Sequence, residues 1–68
     1  MEGIEIITRK QADTLQKLAD GWSIKQIELV EGTPLGTIKQ RLAKIHRILG
    51  TKNISHTMAI AMKRGIIN

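Results

Sequence analysis

Apolar side chains recur every three or four positions along most of the chain, the spacing of an amphipathic α-helix. The clearest stripe lies between two glycines and consists of Ile38, Leu42, Ile45 and Leu49. Helix start and stop signals flank it. Thr33 predicts an N-cap, Pro34 is favoured at the first helical position, and Gly50 predicts the end of the helix. This pattern predicts a helix over about 34–49.

Three further helices follow from similar signals. Thr8 with Gln11, and Ser23 with Gln26, form capping-box patterns in front of apolar residues at helical spacing. Ser55 predicts the start of a last helix. The predicted ranges are about 8–20, 23–31 and 55–64.

No strand pattern competes with these helices, unless IEII at residues 4–7 forms an extended segment along the bundle. The predicted fold class is therefore all-α. The chain reads as one compact four-helix domain over residues 1–68. The second and third helices, joined by a tight turn, have the order and length of a helix-turn-helix.

Size and composition restrict the function. A chain of 68 residues buries only about 60% of the surface that it exposes when unfolded, so a partner or second copy would help its stability. Cysteine is absent, which excludes disulfides and fits a reducing cytosol. The acidic start does not resemble a signal peptide, and no apolar run approaches the length of a membrane span. We therefore expect a cytoplasmic protein with no membrane partner.

The charge distribution is more informative than the net charge of +5. Residues 1–31 carry four basic and six acidic side chains, for a net charge of −2, whereas residues 32–68 carry seven basic side chains and no acid. A half of one sign attracts polyanions at long range. Scattered lysines often serve only solubility. Here, however, the cations are concentrated on the predicted helix 34–49 and the segment that follows it.

The face of helix 34–49 opposite the apolar stripe indicates which kind of polyanion the protein binds. At 100° per residue, it consists of Gly36, Gln40, Ala43 and Arg47. Lys39 and Lys44 lie on its two edges. Small residues permit close approach, and the edge cations match phosphates on either side of a groove. The major groove of DNA, about 12 Å wide, admits one α-helix, so we predict that this helix enters it.

Three sequence blocks carry a resemblance to a known family: "ITRKQADTLQKLADGWSIKQI", "GTIKQRLAKIHRILG" and "ISHTMAIAMKRGII". Together they resemble the LuxR/GerE-type DNA-binding domain, the four-helix C-terminal module of many bacterial transcription regulators. The resemblance spans residues 7–67 without a gap. It implies a sequence-specific transcriptional regulator of double-stranded DNA, which we expect to be a stand-alone small regulator of bacterial or phage origin.

The resemblance also implies site residues. Lys39, Gln40 and Ala43 fall where family members contact bases. Backbone contacts fall on Ser23, Lys25, Thr37, Lys44 and Arg47. The last helix is apolar nearly all round and forms a two-fold dimer in the family, so we expect a homodimer interface at Met58, Ala59 and Met62. Alternatively, these apolar residues complete the core of a monomer.

The chain departs from the family pattern around the predicted turn. Glu28, Glu31 and Thr33 stand where small or apolar residues are usual. We expect Leu29 and Val30 to supply the apolar contact instead, with helix 23–31 rotated or shortened. We also expect Glu28 or Glu31 to repel phosphate. Arg41 stands where histidine is frequent and is expected only to add positive charge.

Other functions have weaker support in the sequence. His46 and His56 have no cysteine or nearby carboxylate, so we predict no metal site and no cofactor. No triad or phosphate-binding glycine loop is recognisable, and we do not expect an enzyme. The alternative function is a protein-binding helical module that uses the last helix to pair with a related regulator or RNA polymerase.

Overall fold

The computed structural model describes residues 6–68 of the chain. The four helices in this range are α1 (Arg9–Ala19), α2 (Ile24–Glu31), α3 (Leu35–Leu49) and α4 (Ile54–Lys63). No strand occurs among residues 6–68, which confirms the all-α prediction. Every helix boundary lies within one residue of its predicted position. The part of the domain prediction that concerns residues 1–5 lies outside the described residues.

The first two helices begin as predicted, each with a complete capping box. Thr8 Oγ1 accepts from Gln11 N at 3.1 Å, and Gln11 Oε1 accepts from Thr8 N at 2.8 Å. Ser23 and Gln26 repeat both bonds at the same distances. Each pair satisfies two backbone N–H groups that a helix start otherwise leaves unpaired.

The other two helix starts correct the sequence predictions. Pro34, not Thr33, is the N-cap of α3, because its extended ψ of 146° keeps it outside the helix, and no side chain caps this end. At α4 the cap is Asn53, not Ser55. Asn53 Oδ1 accepts from His56 N at 2.9 Å, while Ser55 lies inside the first turn. Asparagine is among the strongest N-caps. Here its side-chain oxygen accepts from the N–H of His56, the third residue of the helix.

Glycine ends α3 as predicted. Gly50 has a φ of 68°, a left-handed conformation that side chains with a Cβ disfavour. Around it, Thr51 N donates to His46 O at 2.9 Å and Gly50 N donates to Arg47 O at 3.4 Å. These two bonds form a Schellman motif. The motif brings Thr51 back to the last turn of α3 and directs the chain toward α4.

The core is built around α3, which packs against each of the other helices. All four residues of its predicted stripe are buried. They share one cluster with residues from α1, α2, α4 and the C-terminal segment: Leu15, Ile27, Ala61 and Ile67. Because the stripe fixes the rotation of α3, it also determines which of its side chains face outward. Within residues 6–68, no helix is both long and apolar enough to cross a membrane.

α2 and α3 form the helix-turn-helix. Three residues, 32–34, join them. Gly32 ends α2 with a φ of 70°, and its N–H donates to Glu28 O at 2.9 Å. The left-handed glycine makes a sharp turn possible in so short a connection.

Candidate nucleic-acid interface

The outward face of α3 is the candidate interface. Gln40, Ala43, Lys44 and Arg47 line one shallow concave surface on this face. All four side chains are exposed, as are Thr37 and Lys39 on the same helix. The structure therefore brings together four of the residues that the sequence singled out on α3, with the other two flanking them.

The outward face is small as well as polar at the start of α3. Gly36 is exposed, and a Cβ added to it would meet no atom within 4 Å. No packing within the domain therefore requires a glycine here. The absence of a side chain at Gly36 lets a flat or grooved surface approach the first turn of α3 closely.

The cations of α3 divide into two groups. Lys39, Lys44 and Arg47 are exposed on the outward side. Arg41 instead turns inward. Its Nη1 lies 3.1 Å from Glu31 Oε1 and donates to Thr14 Oγ1 at 2.8 Å, and its side chain is only 11% exposed. The expectation that Arg41 only adds charge to the helix is therefore wrong.

Glu31 also contradicts the sequence-based expectation. Its carboxylate, 9% exposed, does not project toward the outward face of α3 but pairs with Arg41 and, at 3.5 Å, with Lys17 Nζ of α1. Burial alone would raise the pKa of this carboxyl. The hydrogen bond and charge of Arg41, with a smaller contribution from Lys17, outweigh burial and lower the pKa below its ordinary value. Glu31 is thus ionised and internally neutralised, which removes the expected phosphate repulsion at this position.

Lys17 links this cluster to the surface of α1. Its Nζ lies 3.0 Å from Asp13 Oδ2 and 5.5 Å from the centre of the Trp22 ring. The hydrogen bond to Asp13, opposed by partial burial and supported by the charges of Asp13 and Glu31, raises the pKa of Lys17. Lys17 is therefore held within the domain and is not a candidate phosphate contact.

Leu29 and Val30 do not supply the helix contact expected of them. They are 73% and 66% exposed, whereas Ile27 is fully buried and Ile24 packs against the core. α2 therefore places one apolar edge against the core and leaves a second apolar edge outside. The outer edge forms a shallow surface with Trp22, which itself packs on the core.

The predicted backbone contacts on α2 lie at its first turn. Ser23 and Lys25 are both exposed there, outside the concave surface of α3. Ser23 Oγ already accepts from Gln26 N, but its hydroxyl proton remains able to donate. A phosphate at this turn could thus be contacted without loss of the capping box.

The predicted dimer residues of α4 do not all lie on the same side of the helix. Met58 is half-buried and packs against the core, while Ala59 is exposed and Met62 is 56% exposed. The buried side of α4 consists of Thr57 and Ala61. Ala59 and Met62 are therefore on the outer side of α4, whereas Met58 lies partly against the core.

Two polar clusters were missed in the sequence. The first is Glu31 with Arg41 and Thr14. In the second, His46 Nδ1 lies 2.7 Å from Thr57 Oγ1 and 3.2 Å from Thr51 Oγ1. The sequence signal for these clusters is the position of Arg41 and His46, which border the apolar stripe of α3 on opposite sides. His56 is exposed, and among residues 6–68 no group of three or more potential ligands is placed to hold a metal ion.

Comparisons with family models, curated proteins and solved structures gave no match.

Proposed function

We propose that the protein is a sequence-specific, double-stranded DNA-binding transcriptional regulator of the LuxR/GerE type, with α3 in the major groove. The observation that carries the proposal is the outward face of α3. It is exposed, cationic and small at its start, and it lies on the second helix of a helix-turn-helix. This combination of size and charge complements a groove with phosphate walls.

Base contacts are assigned to three residues of α3: Lys39, Gln40 and Ala43. Gln40 can pair with N6 and N7 of adenine, Lys39 can donate to guanine, and Ala43 can contact a thymine methyl group. These side chains are exposed, so binding requires no rearrangement of the core.

Phosphate contacts are assigned to three other residues of α3 and to the start of α2. On α3 they are Thr37, Lys44 and Arg47, and on α2 they are Ser23 and Lys25. Such contacts position a protein on the duplex without reading sequence. They also make affinity fall as salt rises, because each neutralised phosphate releases counterions.

A homodimer follows from α4 in this proposal. Ala59 and Met62, with the outer part of Met58, form the contact between two copies related by a two-fold axis. An isologous contact matches an inverted repeat in DNA, with half-site centres about 10 base pairs apart.

The test is selection of duplexes from a random library at near-physiological salt, where binding to phosphates alone is weak. The wild type should recover an inverted repeat. K39A/Q40A should lose the sequence preference, with a specific affinity at least about tenfold lower, since each bidentate contact contributes about 1–3 kcal/mol of discrimination. Lys10→Ala is the matched control, because Lys10 is exposed on α1 and far from α3 in sequence.

Either of two outcomes would contradict the proposal. The wild type could recover no motif, or K39A/Q40A could recover the same motif with unchanged affinity.

The alternative, a protein-binding module, is favoured by the exposed apolar edge of α2. Leu29 and Val30 leave most of their surface exposed in the described domain. A related regulator or RNA polymerase that docks there, or on α4, would bind K39A/Q40A as well as the wild type. Retained partner binding with no DNA motif would favour this second function.

A further inference from the structure

A cluster of three polar side chains, two of them buried and one half-buried, joins α3 to α4. We call it the hydroxyl triad, and it consists of His46, Thr51 and Thr57. Thr57 is fully buried and Thr51 is 7% exposed. Thr51 Oγ1 lies 2.6 Å from Thr57 Oγ1, and His46 Nδ1 lies 2.7 Å from the same atom. The Thr57 hydroxyl is therefore the centre of the cluster.

One arrangement of protons satisfies all of these contacts. In it Thr57 Oγ1 donates to Asn53 O at 2.9 Å and accepts from Thr51 Oγ1 and from His46 Nδ1. Among the described residues, no buried side-chain nitrogen or oxygen lacks a partner. Every buried polar atom of the triad thus has a hydrogen-bond partner.

This network connects three successive parts of the chain. His46 lies in the last turn of α3, Thr51 follows the helix end, and Thr57 lies in α4. α3 and α4 also share the apolar core, through Ile45, Leu49 and Ala61. Hydrogen bonds weaken steeply when bent, so the triad adds a directional restraint on the orientation of α4 relative to α3.

Thr57 and the proposed dimer contact occupy different sides of α4. Thr57 and Ala61 face the core, and Ala59 and Met62 face outward. In a two-fold dimer, symmetry applies the same rotation of α3 relative to α4 to both copies. A change in this angle would therefore shift both α3 helices and alter the spacing between the two major grooves that they enter.

We propose that the hydroxyl triad determines the half-site spacing that the dimer selects, with His46, Thr51 and Thr57 as positioning residues that do not touch DNA. This inference rests on the proposed function, because it requires DNA binding and a dimer through α4.

The experiment measures binding to inverted repeats whose spacing is changed one base pair at a time. It compares the wild type with H46L/T51V/T57V. Replacing all hydrogen-bonding partners by apolar groups of similar shape can leave stability nearly unchanged, whereas removing one partner leaves the others unpaired. Thermal unfolding and affinity for a single half-site verify that the variant is folded and still reads bases.

The wild type should bind its optimal spacing more tightly than the neighbouring spacings. In the triple variant this ratio of affinities should be about fivefold smaller. Fivefold corresponds to about 1 kcal/mol, the net contribution of one hydrogen bond. T57V is the second variant and decides the question if the triple variant does not fold. T57S, which keeps the hydroxyl group, should retain the wild-type profile.

The outcomes separate this inference from the proposed function. If the wild type selects a spacing and both folded variants select it equally sharply, the inference is overturned while the proposed function stands. If the wild type reads no half-site at all, the proposed function is overturned and the inference with it. A loss of affinity equal at all spacings would show that the triad contributes only stability, which also overturns the inference.

Discussion

Glu31 connects three helices through one carboxylate. It lies at the end of α2 and pairs with Arg41 of α3 and Lys17 of α1. Thr14 completes the cluster by accepting from Arg41, while its own hydroxyl donates to Lys10 O at 3.1 Å. Because the carboxylate is nearly buried and every partner is paired, loss of its charge would leave Arg41 uncompensated.

We therefore expect Glu31→Gln to lower the free energy of unfolding by about 2 kcal/mol, the range of a hydrogen bond to a charged group. Glu28→Gln is the matched control, since Glu28 lies on the same helix and forms no ion pair among residues 6–68. It should change stability by less than about 0.5 kcal/mol. Urea unfolding measures both, and equal effects would contradict this role of Glu31.

The same carboxylate predicts a pH dependence. The pKa of Glu31 is lower in the folded domain than its ordinary value of 4.5, so the unfolded chain takes up the proton first as pH falls. The stabilisation is fully present above pH 4.5 and is lost as pH falls through the folded pKa. Unfolding followed between pH 7 and pH 3 should show a smaller decline for Glu31→Gln than for the wild type. Parallel curves would refute this assignment.

At the scale of the helix, the sequence predicts elements better than their caps. The capping boxes at Thr8 and Ser23 could be predicted because both partners are three residues apart. The start of α4 could not, because Asn53 and Ser55 are both acceptable caps and local sequence does not rank them by geometry. Tertiary placement of Thr51 and Thr57 favours a helix that begins at Ile54.

Cap substitutions test this corrected start of α4. Asn53→Ala should destabilise the domain by about 1 kcal/mol, because it removes the acceptor for His56 N. Ser55→Ala is the control and should be neutral or slightly stabilising, since alanine has the higher helix propensity. Thermal unfolding gives both values. A larger loss for Ser55→Ala would restore Ser55 as the cap.

Two glycines of α3 should respond to alanine with opposite signs. Gly36→Ala should stabilise the domain by about 0.5 kcal/mol, because the Cβ meets nothing and the unfolded chain loses freedom. Gly50→Ala should destabilise it by about 1 kcal/mol, because alanine disfavours a φ of 68°. If α3 enters the major groove, Gly36→Ala should also weaken specific DNA binding. Unchanged DNA affinity would mean that this glycine does not lie close to the duplex.

At the scale of the whole molecule, periodicity predicted the four helices and the outward face of α3. The stripe of four aliphatic residues determined both, because a helix that buries them can expose only the opposite side. The polar clusters could not be predicted from the sequence, for a physical reason. Glu31 and Arg41 lie ten residues apart on different helices, and nothing in the local pattern shows that their side chains meet. For the same reason, Leu29 and Val30 were assigned to the wrong side of α2.

The outer face of α4 gives the last prediction. Met62→Glu places a charge in the proposed dimer contact, so two copies would bring like charges together. Because Met62 is 56% exposed, stability should change by less than about 0.5 kcal/mol. Affinity for an inverted repeat should fall at least about tenfold, with single half-site binding retained. Leu29→Glu, at a more exposed apolar position on α2, is the control and should leave the dimer intact. Sedimentation on DNA decides between a dimeric and a monomeric complex, and a dimeric complex for Met62→Glu would place the interface elsewhere.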